Sequence, residues 1–125
     1  AMAAKVLIVE DDSSILIPLT FLLEQNGYEV STAADGEEAL AAVARSAPDL
    51  VLLDIMMPRL DGYAVCQAIR ENPEWGGIKI VLLSAKAGEM DVAKGMALGA
   101  DAFISKPFAN AEVTATVKRL LTGPA

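Results

Sequence analysis

The sequence has a single cysteine, Cys66, among its 125 residues, so no disulfide can form within the chain. Long apolar runs are also missing. Hydrophobic residues make up 54%, but Asp, Glu, Gly or Pro interrupts every stretch well short of the roughly 20 residues needed to span a bilayer. No basic segment followed by an apolar one stands at the N-terminus, so no signal peptide is read there. These absences predict a soluble cytoplasmic domain. Basic residues are scarce, with 10 Lys and Arg against 17 Asp and Glu and a formal net charge of −7. That balance argues against a nucleic-acid or anionic-membrane surface, and for basic protein partners or a cation. No internal repeat, low-complexity tract or linker divides the chain, and its length suits one domain over residues 1–125 that buries roughly two-thirds of its unfolded surface. Ala1 stands ahead of a plausible start methionine, Met2. Residues 1–4 and 122–125 are therefore read as flexible or as cloning remnants, and whether the chain was cut from a longer one is left open.

What is present is a strict alternation. Lys5 to Val9 is an apolar run that reads as a first strand and ends in Glu10-Asp11-Asp12. Ser13-Ser14 can cap a helix whose apolar positions Ile15, Leu19, Leu22 and Leu23 recur at three- and four-residue spacing up to Asn26-Gly27. Pro18 lies about one turn inside it and predicts a late regular start or a slight kink. Tyr28 to Thr32 reads as a second strand, and Asp35 with Glu38 three residues on forms a capping box for a helix that Pro48 stops. Leu50 to Leu53 reads as a buried third strand that delivers Asp54 to its tip. Asp61 caps a third helix through Val65, Cys66 and Ile69, closed at Asn72-Pro73; Cys66 reads as core packing. Ile78 to Ser84 is a fourth strand and Glu89 to Leu98 a fourth helix with Gly95 in its interior, about 1 kcal/mol less favourable than Ala. Ala102 to Lys106 is a fifth strand, and Asn110 caps a last helix carrying Val113, Val117, Leu120 and Leu121 on one face. Five β-α units in succession predict an α/β domain, doubly wound, with a parallel sheet and helices on both faces.

Strand tips in such a sheet border the ligand crevice. Here they carry Glu10, Asp11 and Asp12 from the first strand, Asp54 from the third, Ser84 from the fourth and Lys106 from the fifth. Two carboxylates about 4 Å apart at a partly buried edge repel by roughly 4 kcal/mol at an effective dielectric near 20. A cation is therefore expected among them, and hard oxygen ligands with water access suit Mg²⁺. A carboxylate beside a divalent cation and a lysine can act as a nucleophile toward a phosphoryl donor. Taken singly, Asp12 and Asp61 read as helix N-caps, Ser84 as a turn hydroxyl and Lys106 as a surface lysine. The combination is what carries information.

Val9-Glu10-Asp11-Asp12, Asp54-Ile55-Met56-Met57-Pro58, Asp61-Gly62, Ser84-Ala85, Gly99-Ala100-Asp101 and Lys106-Pro107-Phe108 resemble, in order and spacing, the receiver (CheY-like) domain of two-component response regulators. The resemblance covers essentially the whole chain. It implies a single flavodoxin-like (βα)5 domain with strand order 2-1-3-4-5, and Asp54 as phosphoacceptor for a histidine kinase or phosphotransfer protein in a phosphorelay. It further implies Mg²⁺, or Mn²⁺, held by Asp11, Asp54 and the Met56 carbonyl, with Glu10 acting through a water. Lys106 would pair with the phosphate, its bond to Pro107 would be cis, Ser84 would be the switch hydroxyl and Phe103 the switch aromatic. Output would pass through the surface of the fourth helix, fifth strand and fifth helix to an unknown partner or output domain, and Gly95 would suit a fourth helix that moves. Such a chain is not an enzyme beyond its own phosphorylation and dephosphorylation.

Two departures refine the expectation. Ala102 and Thr116 stand where receivers of the winged-helix transcription-factor type commonly have an acid and an arginine, which predicts a monomer or a weak phosphorylation-dependent dimer without that charged interface. Met56 and Lys86 stand two residues beyond Asp54 and Ser84; methionine cannot orient water by hydrogen bonding, which predicts a phosphoryl lifetime of minutes or longer. Four other readings are kept. A receiver fragment of a DNA-binding regulator or hybrid histidine kinase fits equally, although the missing charges lean toward a freestanding regulator. A Mg²⁺-dependent aspartyl phosphohydrolase would resemble Asp-x-Asp at its nucleophile, where this chain has Met56. A nucleotide- or flavin-binding module would need a glycine-rich phosphate loop after the first strand, which is absent. A docking module without phosphorylation would be suggested by loss of an acid, and none is lost.

Overall fold

The structure, a computed structural model, describes residues 3–122. Five strands alternate with five helices: β1 Lys5–Val9, α1 Ser13–Gln25, β2 Glu29–Ala33, α2 Gly36–Ser46, β3 Leu50–Asp54, α3 Gly62–Glu71, β4 Lys79–Ser84, α4 Glu89–Ala97, β5 Ala102–Ser105 and α5 Asn110–Thr122. All neighbouring strands pair in parallel, in the order β2-β1-β3-β4-β5. The order reverses between β1 and β3, so the chain leaves β1 toward one edge and β3 toward the other. A crevice opens at their C-terminal ends.

Alternation along the strands divides the interior into two apolar layers. Val6, Ile8, Leu50, Leu52, Val81, Leu83 and Ile104 face α1 and α5, meeting Leu19, Leu23, Val113 and Val117. Leu7, Val9, Val51, Leu53, Ile80 and Leu82 face the other way, against Ala39, Ala42 and Val43 of α2 and Val65, Cys66 and Ile69 of α3. Burial on both faces explains why β3 reads as an unbroken apolar run; all five of its residues are buried. Asp54 belongs to that strand and is buried with it.

Several local expectations are corrected. Of the two cap readings for α1, Asp12 and not Ser13 or Ser14 is the N-cap, its carboxylate accepting from the Ser14 N–H at 2.9 Å. The helix starts at Ser13 and runs on past Pro18, which removes one donor without stopping it because Leu19 and Leu23 are buried on the following turns. Ala47, with a left-handed φ of 45°, ends α2 ahead of Pro48. A single 3-10 turn at Pro73–Trp75, capped by Asn72, extends α3 toward β4. Asn110 is the first residue of α5 and not its cap, since the Ala109 carbonyl accepts from Glu112 and Val113. Of the ends read as flexible, residues 1, 2 and 123–125 lie outside the described residues. Ala4 O accepts from the Glu29 N–H, and Thr122 closes α5 with its hydroxyl donating to Lys118 O.

Candidate functional site

The ends of β1, β3, β4 and β5 contribute polar side chains to the crevice. Glu10 follows β1 and is held in line by its N–H bond to Ala33 O at 3.0 Å. Asp54 ends β3, Ser84 ends β4, and Lys106 follows β5 with its N–H donating to Ser84 O at 2.9 Å. Glu10, Asp54 and Ser84 are the buried polar residues among those described, at 1%, 3% and 1% exposure. Asp11 is exposed at the mouth.

Lys106 bridges the two buried acids. Its ammonium donates to both Glu10 carboxylate oxygens, at 3.2 and 3.0 Å, and to Asp54 Oδ1 at 3.2 Å. Glu10, Asp11 and Asp54 each present a carboxylate oxygen within 4.8 Å of the others. Three carboxylates against one ammonium leave an excess of two negative charges. The donor set is all oxygen and lies at a water-accessible edge, so it fits a hard divalent cation.

Burial sets the local acidities. It pushes Glu10 and Asp54 above the ordinary carboxylate range, and the hydrogen bonds and charge of Lys106 only partly reverse this. Burial alone would lower Lys106, but its bonds to Glu10 and the charge of Asp54 prevail and hold it above the ordinary lysine value. Asp12 is drawn down by the Ser14 hydroxyl and N–H, which matches its capping position outside the crevice.

The β3–α3 connection brings a helix start beside Asp54. Gly62 N–H donates to Ile55 O at 2.9 Å, and an added Cβ at Gly62 would lie 2.5 Å from Asp54 O and 2.7 Å from Ile55 Cα. No other residue type allows that approach. Asp61 caps the helix through the Ala64 N–H at 2.9 Å, and Arg59 adopts a left-handed φ of 68° in the turn. Met56 projects into solvent at the mouth, 62% exposed. Ser84 Oγ accepts from the Lys86 N–H at 3.0 Å. The Lys106-Pro107 peptide is cis.

Comparison with known proteins agrees with this geometry. Residues 6–118 match the family described as response regulator receiver domain. The chain belongs to the response regulator receiver family. It is 45% identical over 120 residues to the alkaline phosphatase synthesis transcriptional regulatory protein PhoP of Bacillus subtilis, covering 96% of this chain and 49% of PhoP. The chain thus spans about half the length of that relative. Protein PilG of Pseudomonas aeruginosa is 40% identical over 114 residues, 91% of this chain and 84% of PilG. Among solved structures, the BeF3-activated DrrB receiver domain superposes with a TM-score of 0.88 at 34% identity, covering 98% of this chain and all of that one. Receivers are signalling proteins that work with histidine kinases and output domains.

Within this receiver, Glu10, Asp11, Asp54, Ser84 and Lys106 converge at one crevice, as their motif order implies. Phe103 lies back from the crevice, half-buried, paired with Leu82 two residues before Ser84 and packed against Gly95 of α4. Gly95 itself has a packing role that the sequence does not announce: an added Cβ would stand 2.6 Å from Leu82 Cδ1 and 3.4 Å from Phe103 Cδ2. Close approach of α4 to the sheet is thus a further role for Gly95 beside the mobility expected of that helix. Asp101, quoted only as part of a motif, accepts from Arg70 Nη2 at 2.9 Å and the Ile80 N–H at 2.8 Å, while Arg70 Nε donates to Gly99 O at 2.9 Å. That clamp joins α3, the start of β4 and the turn before β5. Its only sequence signal is the acid after Gly99-Ala100. Among the described residues no helix is long and apolar enough to cross a membrane.

Proposed function

We propose that the chain is one receiver domain that takes a phosphoryl group on Asp54 in a cytoplasmic phosphorelay and changes its α4-β5-α5 surface in response. The observation that carries this reading is the bridging of Asp54 and Glu10 by Lys106 at 3.0–3.2 Å, beside an uncompensated pair of negative charges at the end of the sheet. Asp11, Asp54 and the Met56 carbonyl would hold Mg²⁺ or Mn²⁺, with Glu10 acting through a water, and the bound ion would supply charge neutralisation for the transferring oxygens.

An Asp54 carboxylate oxygen attacks the phosphorus of a phosphohistidine. The P–N bond breaks as the P–O bond forms, and the imidazole nitrogen leaves with the electron pair. Lys106 then turns from the carboxylate to a phosphoryl oxygen, and the Ser84 hydroxyl donates to another. Phe103 follows the space that Ser84 vacates. Asp54 is consumed once per event and not regenerated within it, so it acts as a switch contact and not as a turnover nucleophile. Met56 offers water no hydrogen bond at the mouth, which favours a phosphoryl lifetime of minutes or longer. The partner has a groove to enter: Ser14, Ile15, Pro18, Pro107 and Phe108 line an apolar cleft between α1 and the connection after β5, next to Lys106. Exposed Ile17 and Phe21 extend the apolar surface of α1. Ala102 and Thr116 supply no charges for a salt-bridged dimer on α4-β5-α5, which favours a monomer or a weak phosphorylation-dependent dimer.

A DNA-binding regulator containing this domain is a second reading favoured by a specific observation, the 45% identity to roughly half of PhoP. Intact-mass analysis after incubation with a small acyl-phosphate donor tests the shared core of both readings. Wild type is expected to gain one phosphoryl mass only with Mg²⁺, and to lose it over minutes or longer once the donor is removed; Asp54→Asn gains none. Equal labelling of the variant would refute the assignment.

A further inference from the structure

Helix α4 is the least anchored helix of the domain. Among the described residues Gly95 is its one buried position, whereas α1 and α5 each bury two residues and α2 and α3 each bury four. Its first turn is held from outside by Tyr63, the second residue of α3. The Tyr63 hydroxyl donates to the Asp91 carbonyl oxygen at 3.0 Å. A helical carbonyl keeps a second lone pair for such a donor, so this bond can be lost without breaking the helix. The Lys94 ammonium lies 4.4 Å from the centre of the Tyr63 ring, a second tie to the same side chain.

Asp91 is tied in the other direction as well. Its Oδ2 accepts from the Gly88 N–H at 3.1 Å, and its Oδ1 lies 3.9 Å from Lys86 Nζ. The Lys86 N–H donates to Ser84 Oγ at 3.0 Å. A continuous run of contacts therefore leads from the crevice through Lys86 and Asp91 to Tyr63.

We infer that Tyr63 is a latch that holds the first turn of α4 to α3 in the unphosphorylated domain and opposes its movement with the Ser84 loop. The coupling rests on the function proposed above, in which the Ser84 hydroxyl turns to a phosphoryl oxygen. That turn leaves the Lys86 N–H without its acceptor, and residues 85–88 must rearrange to satisfy it. Lys86 and Gly88 both contact Asp91, so the rearrangement pulls on the residue whose carbonyl Tyr63 holds. In a helix with one buried residue, a single hydrogen bond and a stacked lysine are a large share of what resists opening.

Tyr63→Phe removes the hydroxyl and keeps the ring with its packing and the Lys94 contact. In the metal-free chain, amide exchange over residues 88–94 is expected to quicken about three- to tenfold, the range of one net hydrogen bond, while β3 and β4 stay unchanged. Beryllofluoride with Mg²⁺, used as a phosphoryl mimic, should bind the variant more tightly by a similar factor, since the latch no longer opposes the shifted state. Unchanged exchange over 88–94, or faster exchange throughout the domain, overturns the latch. Faster local exchange with unchanged mimic affinity overturns its coupling to the crevice. Binding of the mimic to neither form would remove the functional reading and the coupling together, while the exchange comparison still decides the latch.

Discussion

Gly62 shows how much of the site depends on an absent atom. The Asp61-Gly62 pair starts α3 directly against the end of β3, and the contacts an added Cβ would meet are backbone atoms of Asp54 and Ile55 at 2.5 and 2.7 Å, which cannot swing aside as a side-chain tip can. Gly62→Ala is therefore expected to destabilise the domain by about 1–3 kcal/mol, as overpacking does, and to slow phosphoryl uptake because Asp54 is displaced with its strand end. Urea unfolding with parallel labelling checks this; an unchanged or raised unfolding midpoint would contradict it. At this scale the sequence was legible where chemistry concentrates. Glu10, Asp11, Asp54, Ser84 and Lys106 each end an apolar run, so strand direction alone brings them together. Arg70 and Asp101 were not legible, because they are 31 residues apart and no local pattern pairs an acid in a turn with an arginine at the end of a helix.

Among the elements, β3 and α4 are opposites. The strand is buried throughout and fixes Asp54 on a rigid support, whereas α4 touches the sheet mainly through the gap that Gly95 leaves. Helix propensity favours Ala over Gly by about 1 kcal/mol, but the clash with Leu82, 2.6 Å from the added Cβ, costs about 1–3 kcal/mol. Gly95→Ala should thus lower the thermal midpoint despite its propensity. Combining it with Leu82→Val should recover part of the loss, so that the double variant is less destabilised than the sum of the two single changes. A Gly95→Ala domain more stable than wild type would show that α4 is held another way. Element type and order were legible throughout, from apolar runs of strand length alternating with helical spacing. Caps were legible in part: Asp12 and Asp61 cap as read, but Ser13-Ser14 give way because the Asp12 carboxylate one residue earlier reaches the Ser14 N–H, and Ala109 replaces Asn110 because its carbonyl already accepts from the first turn. The role of Gly95 was hidden because it depends on Leu82 and Phe103 of two other elements.

The whole molecule carries a net charge of −7 and buries part of it, in Glu10 and Asp54, at the edge of the sheet. Glu10 and Asp54 lie above their ordinary acidities in the folded state, first through burial. The folded chain then binds more protons than the unfolded chain between the ordinary carboxylate value and the raised one, so stability is lost as pH rises through that window. Lys106, raised by Glu10 and Asp54, contributes stability below its ordinary value of about 10.4 and loses it only as pH rises through its higher folded value. Asp12, lowered by Ser14, acts in the opposite sense to the buried acids, and its contribution is lost only as pH falls below about 4. The metal-free domain is therefore expected to lose stability as pH rises from the ordinary carboxylate value through the raised folded values of Glu10 and Asp54, with Asp54→Asn flattening that loss. Mg²⁺ should raise the midpoint and do so more at the higher pH, because it binds the ionised carboxylates. Thermal scans across the acidic-to-neutral range with chelator and with Mg²⁺ decide this; a metal-free dependence on pH that Asp54→Asn leaves unchanged would contradict the buried-acid account.

The central claim is that Asp54 is the covalent input of this receiver. An acyl phosphate can be reduced by borohydride to an alcohol, which converts a phosphorylated aspartate to homoserine and marks its position permanently. After labelling with an acyl-phosphate donor and Mg²⁺, reduction and peptide mapping should place homoserine at position 54 and nowhere else, with none formed when Mg²⁺ is withheld. Homoserine at position 11 or 12, or a phosphorylated chain that borohydride leaves unchanged, would contradict the claim.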